Sequence, residues 1–394
     1  MQRTILSIIL LGLFFQSVAQ EPIVKKERNW TLNGYVSWLN TNTFDSIQKT
    51  WFIDNELQNR LNFSYFPTKD ITFNVQMRNR LIYGYSKTNI PKYDEYIEDD
   101  IGYLQLSKNF INTKSMLFNM KIDRINLEIN KGNWNVKLGR QRINWGKTFV
   151  WNPNDIFNTY SYFDIDYQEK PGSDGARVEY YTSAVSSIEL ASTVNFENRM
   201  TMAGKYNFNH WNYDFQLLAG EMEQRDYVIG FGWAGAIKSF SFKGEASYFT
   251  PIDSQDPTRE PAFLGTVYLD YTFANSFNMM IQGLYNQIGI DNPIKDFSTF
   301  YYANSNAKYL SFTEWNLFAN MQYPISPLFT VSFGTMLYPG QNMFFLNPTA
   351  TISLSDNSEL GIIWQYFRGE FPNALGVKQL QQGNYAFLRL RMNF

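Results

Sequence analysis

Between Trp51 and Tyr83 the chain alternates apolar and polar residues twice. In 51–65, Ile53, Leu57, Leu61, Phe63 and Tyr65 share one face, and Asp54, Glu56, Gln58, Arg60, Asn62 and Ser64 share the other. In 71–83, Ile71, Phe73, Val75, Met77 and Leu81 oppose Thr72, Asn74, Gln76, Arg78 and Arg80. A period of two places successive side chains on opposite sides of a strand. Pro67-Thr68-Lys69-Asp70 separates the runs with turn formers, so the pair reads as a hairpin.

The unit recurs to the last residue. Strands are expected at about 29–41, 51–66, 70–84, 116–130, 134–143, 174–184, 187–197, 200–209, 211–223, 226–238, 240–250, 261–274, 277–288, 310–324, 328–339, 343–354, 358–369 and 384–394. That makes about eighteen, an even number as a bacterial single-chain barrel requires. Sixteen is the alternative, because 174–197 and 200–223 alternate weakly. The stretch 101–107, IGYLQLS, is strand-like but breaks the parity and is placed in the second outer loop. Short turns, such as Lys131-Gly132-Asn133 and Lys238-Ser239, alternate with longer polar segments near 85–115, 144–174, 251–260, 289–309 and 370–383. Short periplasmic turns and long outer loops are the pattern of an outer-membrane barrel.

Composition fits the same reading. Aromatic residues make up 18% of the chain, yet mean hydropathy is −0.35. Many rings together with many polar residues describe a body that is apolar outside and polar inside. No segment offers 18 consecutive apolar residues, so no transmembrane helix is expected. There are no cysteines, which excludes a disulfide framework. Charge is near balance, 34 basic against 36 acidic residues, which suggests no nucleic-acid partner.

Residues 1–19 read as a signal peptide. Arg3 is the positive start, Ile5–Phe15 the apolar run, and Ser17 and Ala19 the small residues of the cleavage site. The expected organisation is therefore 1–19 signal peptide and 20–394 one all-β, closed antiparallel transmembrane barrel. The final strand, YAFLRLRMNF, ends in Phe394 and alternates Leu388, Leu390 and Met392 with Arg389 and Arg391. A terminal aromatic strand of this kind resembles the signal read by the outer-membrane assembly machinery, an expected partner along with the lipid itself. Backbone groups cannot stay unpaired in lipid, so the last strand is expected to close on the first.

Charges on the polar faces define the candidate lumen: Asp54, Glu56, Arg60, Arg78, Arg80, Arg124, Glu128, Arg177, Glu179, Lys243, Glu245, Arg389 and Arg391. An Arg or Lys facing acyl chains at the midplane costs roughly 2–4 kcal/mol, so these groups must face water, one another or an inserted loop. Either they line a channel for small polar solutes, or they pair as structural ions in a plugged lumen.

The stretch GRQRINWGKTFVWNPNDIFNTY, 139–160, breaks the alternation. Trp134, Val136 and Leu138 point one way, and Arg140 and Arg142 would follow them into lipid. A bulge at Gly139 would swing both arginines inward, or both sit at the rim against lipid phosphates. Residues 144–173 form the longest structured-looking loop, expected to fold into the lumen and narrow it. Trp145, Trp151 and Tyr160 would offer stacking surfaces, and Arg140, Arg142, Asn152 and Asp155 hydrogen bonds, a mix suited to sugars or other polar organic solutes; otherwise these groups simply anchor the loop. GRQRINWG, the following NPND, and GSDGARVEYY at 172–181 together resemble a group of Gram-negative porin-like barrels and, more distantly, alginate-export barrels. That resemblance implies a channel of the eighteen-strand class and names no ligand.

Other chemistry is poorly supplied. The lone histidine, His210, lies in a turn next to Trp211, which disfavours a Ser-His hydrolase. No catalytic residues, no cofactor and no zinc cluster are expected. Asp94, Glu95, Glu98, Asp99 and Asp100, and Asp253, Asp256 and Glu260, are dense enough in outer loops to hold calcium, or are solvated loop charge. The expected function is an outer-membrane porin-like channel, not an enzyme; the alternative is an accessory barrel of an envelope complex without an open pore.

Overall fold

In the computed structural model the described residues are 28–47, 49–159, 161–163, 170, 172–256, 259–288, 306–339, 342–372 and 377–394. The expected signal peptide, Tyr160 and most of 289–309 lie outside them. In chain order the strands are β1 (Trp30–Phe44), β2 (Phe52–Thr68), β3 (Ile71–Gly84), β4 (Ser107–Asn112), β5 (Met116–Lys131), β6 (Trp134–Gln141), β7 (Ser173–Ser183), β8 (Ser186–Val194), β9 (Met200–His210) and β10 (Tyr213–Met222). They continue with β11 (Asp226–Ile237), β12 (Phe240–Pro251), β13 (Ala262–Thr272), β14 (Asn278–Asn286), β15 (Trp315–Ser326), β16 (Phe329–Tyr338), β17 (Met343–Ser355), β18 (Ser358–Pro372) and β19 (Lys378–Asn393). Two short helices, α1 (Tyr85–Asn89) and α2 (Tyr93–Glu98), stand between β3 and β4.

Neighbouring strands pair antiparallel, and β1 pairs with both β2 and β19, which closes the sheet. The result is an eighteen-strand barrel with one extra strand. The sixteen-strand alternative is excluded, because the weakly alternating segments form β7 to β10. The extra strand is β4. It pairs with Leu117–Lys121 of β5, while β6 pairs with Ile125–Lys131 on the same flank. β4 and the short β6 therefore stand end to end beside β5 and share one stave. The wall strand thus lies at 107–112, in the expected outer loop, and shares only Ser107 with the strand-like stretch 101–107.

The tight turns gather at one end of the barrel. Trp211 and Asn212 both have positive φ, 53° and 62°, the type I′ geometry whose twist matches a two-residue hairpin. Outward positions are apolar and exposed, for instance Leu57, Ile188, Leu190, Leu217, Ile229, Val267 and Ile362. Trp30, Trp134, Trp211 and Phe240 are exposed near the turns, where an aromatic girdle meets the membrane interface.

The interior differs from the expected polar lumen. Two apolar clusters lie inside the barrel. One joins Ile143, Trp145 and Ile156 to Leu218, Val228, Phe249 and Leu264; the other joins Val150 and Trp151 to Leu284, Phe318, Phe345 and Phe367. The inward faces of β8 to β18 therefore mix apolar residues with buried polar ones where the long loop packs on them. Small and apolar residues on the inward face, such as Ala191, Ala203 and Leu218, weaken the period-two signal in β8 to β10.

Candidate functional site

The site starts where β6 ends. Gly139 has φ +107°, and a Cβ there would meet the Ile125 carbonyl, so only glycine fits. The next residue, Arg140, reaches neither lipid nor lumen; its side chain is 1% exposed. Its Nε and Nη2 donate to the two oxygens of Asp174 on β7, both at 2.7 Å. Nη1 donates to Asp100 Oδ2 at 2.6 Å, and Nη2 to the Leu104 carbonyl at 2.5 Å. The backbone N–H of Leu104 returns a bond to Asp174 Oδ2 at 2.8 Å, and that of Leu106 a bond to Asp100 at 2.9 Å. Arg140 thus clamps segment 100–106 above the truncated end of β6. Burial pushes Asp100 up, but Lys121 and the bond from Arg140 outweigh it and hold the carboxyl below the ordinary range. This corrects both the pore-lining expectation for Arg140 and the solvated-loop expectation for Asp100.

From Ile143 onward the chain runs along the inner faces of β8 to β18. Trp145 Nε1 donates to Glu189 at 2.7 Å, and Gln216 Nε2 donates to the Trp145 carbonyl at 2.8 Å. Glu245, buried on β12, collects the N–H groups of Lys147, Thr148 at 2.8 Å and Asn154 at 3.1 Å. Gln282 on β14 accepts from Val150 N at 2.8 Å and donates to the Trp151 carbonyl at 3.0 Å. Further on, Asn347 donates to the Tyr162 hydroxyl and Gln365 to the Phe163 carbonyl. Trp145, Asn152, Asp155 and Glu245 are almost fully buried in this seam, so their polar atoms hold the loop and present no face to a solute. The Asp155 carboxyl accepts from Trp145 N at 3.3 Å on one oxygen, and its Oδ2 has no hydrogen-bond partner among the described residues. Burial pushes its pKa up to about 7, against the lowering effects of that bond and of Arg142 and Lys170; Glu245 pushes it the same way as burial.

The facing wall, β2, β3 and β5, carries cations. β5 slips register after Ile122, so that Asp123 is extra and turns inward. Arg60 Nη1 donates to Asp123 Oδ2 at 2.5 Å, with Arg78 Nε at 3.7 Å from the same oxygen. Gln76 Oε1 accepts from Arg60 at 2.9 Å and from Arg124 at 3.0 Å. Arg80 donates to Asn119 at 3.2 Å, and Lys121 lies 3.8 Å from Asp100. Arg60, Arg78, Arg80, Lys121 and Arg124 form a ladder, with Asp123 enclosed beside Arg60 and Arg78 and Asp100 beside Lys121.

The other expected residues are spread over the wall. Glu128 pairs with Lys137 at 2.9 Å, and Arg177 bonds Asn135 at 2.5 Å with Glu179 at 3.7 Å. Arg389 lies 3.7 Å from Glu359, Arg391 stacks on Tyr35 at 3.9 Å, and Lys243 stands over Tyr268 at 5.1 Å. Asp54 and Glu56 face the outer mouth, well apart from these pairs. Among the outer acids, Asp94 and Glu98 accept from the Asn112 and Asn109 amides of β4, and Asp256 lies 3.8 Å from Arg259. His210 closes β9 against the Trp211 ring, centroids 4.3 Å apart. Phe394 exchanges two 3.0 Å backbone bonds with Gly34 at the seam.

No family model matches the chain, and no curated protein matches it. Solved structures do. OccAB3 and OccAB4 of Acinetobacter baumannii align with TM-scores of 0.57 and 0.56, each at 10% identity over 92% of this chain and 99% and 98% of theirs. OccK11 (OpdR) of Pseudomonas aeruginosa aligns with a TM-score of 0.54 at 10% identity, over 93% of this chain and 96% of its own. The fold is the closed antiparallel barrel these structures share. At such identity the likeness speaks for the fold alone. A closed barrel of this type, apolar all round its outside, is built for the outer membrane.

Sequence reasoning missed Asp123, Glu189, Gln216 and Gln282. Asp123 had a signal: apolar outward positions run 118, 120, 122 and then 125, 127, 129, a slip of one residue that only a bulge accommodates. The other three are inward polar residues on strands, and nothing local distinguishes a loop receptor from a water-facing group.

Proposed function

We propose that the barrel is an outer-membrane channel through which small polar solutes diffuse, narrowed by the loop 144–173. Two features support this. Loop residues 145–154, 162 and 163 take hydrogen bonds from one arc of the inner wall, β8 to β18, and the cation ladder stands on the other, β2 to β5, where Arg124 holds the Lys170 carbonyl at 3.2 Å. The path for solutes then runs between them, with Arg78 and Arg80 facing it and favouring anionic groups. The observation that carries the reading is the gathering of Arg60, Arg78, Arg80, Lys121 and Arg124 on a wall that the described loop residues touch at Arg124, which donates to the Lys170 carbonyl at 3.2 Å.

Phe394, at the seam, is proposed to serve as the mark read by the assembly machinery, and residues 1–19 as the export signal. The channel reading is tested by single-channel conductance in a planar bilayer. Discrete open steps whose ion selectivity shifts in Arg78→Ala support it. A purified, folded barrel that carries no current and retains a partner through purification supports the accessory-barrel reading.

A further inference from the structure

At the outer mouth, beyond the outer end of the ladder, lies a cavity of about 490 Å³ between the β1–β2–β19 wall and helices α1 and α2. Asp54 and Glu56 supply carboxylates, and Tyr93, Tyr96, Tyr385 and Phe387 supply rings. Three features make it a built site. Asp54 accepts from Ser86 N at 2.8 Å and from Ser86 Oγ at 2.7 Å, which ties α1 to the wall at the cavity edge. Gly84 has φ +139°, and a Cβ there would strike Asp54, so the chain can make this turn only with glycine. On the far side, Asn109 donates to the Asp94 carbonyl at 2.8 Å and to Glu98 Oε2 at 3.2 Å, and Asn112 donates to Asp94 Oδ2 at 2.6 Å. These bonds moor α2 on β4 and hold Tyr93 and Tyr96 over the opening.

No lysine, arginine or histidine is among the residues that line the cavity. Arg80, one inward position beyond Ile82 on β3, is turned to Asn119 and the Ile97 carbonyl. Carboxylates and ring faces both attract positive charge, and the apolar remainder of the lining suits an apolar body. We propose that this cavity binds a small organic cation, an ammonium group carried on an aromatic or aliphatic body. The site deepens the channel reading by naming one class of solute captured at its entrance. No cationic side chain lines it to pair with an anion, so the mouth and the ladder differ in the sign of charge they attract.

The test is saturation-transfer NMR on the full-length protein in detergent micelles, which needs no current. The probe is benzyltrimethylammonium, compared with benzyl alcohol, benzoate and maltose. Binding of the ammonium at least tenfold tighter than of the other three is expected, with at least a tenfold loss in Tyr96→Ala and in Glu56→Gln. Tyr96 is an exposed residue of α2, so its variant is expected to keep the barrel's heat-modifiable mobility on gels, even if the Glu56 variant folds poorly. Equal binding of the neutral and anionic probes, preference for maltose, or unchanged affinity in folded Tyr96→Ala would each overturn the proposal. A barrel that conducts but does not bind the ammonium defeats this inference alone; one that binds but never conducts defeats the channel reading alone.

Discussion

Arg140 shows how far one side chain departs from the direction its strand suggests. Period two sends it into lipid, and a bulge at Gly139 sends it into water. The chain does neither: Asp174 and Asp100 enclose it within the wall. Removing one partner of a buried ion set leaves the others uncompensated, a loss of about 3–5 kcal/mol. Arg140→Ala is therefore expected to unfold at markedly lower temperature by heat-modifiability, with Arg140→Lys recovering little because it lacks the forked geometry. Asp155 carries a second expectation. Its docked pKa of about 7 lies above that of an exposed aspartate. A raised acid favours the docked state most fully below its undocked pKa, and that advantage fades as pH rises through about 7. Lys170, lowered to about 7 mainly by burial, titrates in the same window, so the isolated effect is read in Asp155→Asn. Protection against hydrogen exchange at 145–159, after division by the intrinsic base-catalysed rate, should fall from pH 5 to pH 8 in the native chain and show a flatter profile in the variant.

At the scale of elements, the loop is held chiefly by backbone groups bonded to side chains of strands far away in sequence. Glu245 alone takes three N–H groups across roughly 90 to 100 residues of chain. Bonds to a charged acceptor are worth about 1.5–3 kcal/mol each, so Glu245→Ala should release residues 147–154 while the strands stay paired. The expected readout is faster exchange in that segment together with larger, noisier conductance steps. A change in conductance with unchanged exchange would contradict the placement of the constriction. The β4–β6 stave makes the same point about wall elements: β6 is short because Arg140 and segment 100–106 complete its upper half.

Across the whole molecule, the two arcs of the inner wall have different tasks. β8 to β18 bind the loop through apolar packing and scattered amides, and β2 to β5 gather the cation ladder. Removing one lumen charge changes an ion's energy in the pore by on the order of 1 kcal/mol, a several-fold effect on permeability. Reversal potentials in a salt gradient should therefore show weaker anion preference in Arg78→Ala. The double variant with Arg124→Ala should lose more.

The sequence by itself determined the barrel, its strand pairing order and its lipid-facing surface. Alternation is local, and the exclusion of unpaired backbone from lipid leaves a closed sheet as the one outcome. Ile53, Leu57 and Leu61 announced their face because nothing but hydrocarbon competes for it. Tertiary structure decided the inside. Whether Glu245, Gln282 or Arg140 meets water, a loop or another charge depends on partners tens of residues away, and polar residues read alike in all three settings. Only the folded chain, by bringing 100–106 and 143–163 back against the wall, separated the residues that hold the barrel together from those left to meet a solute.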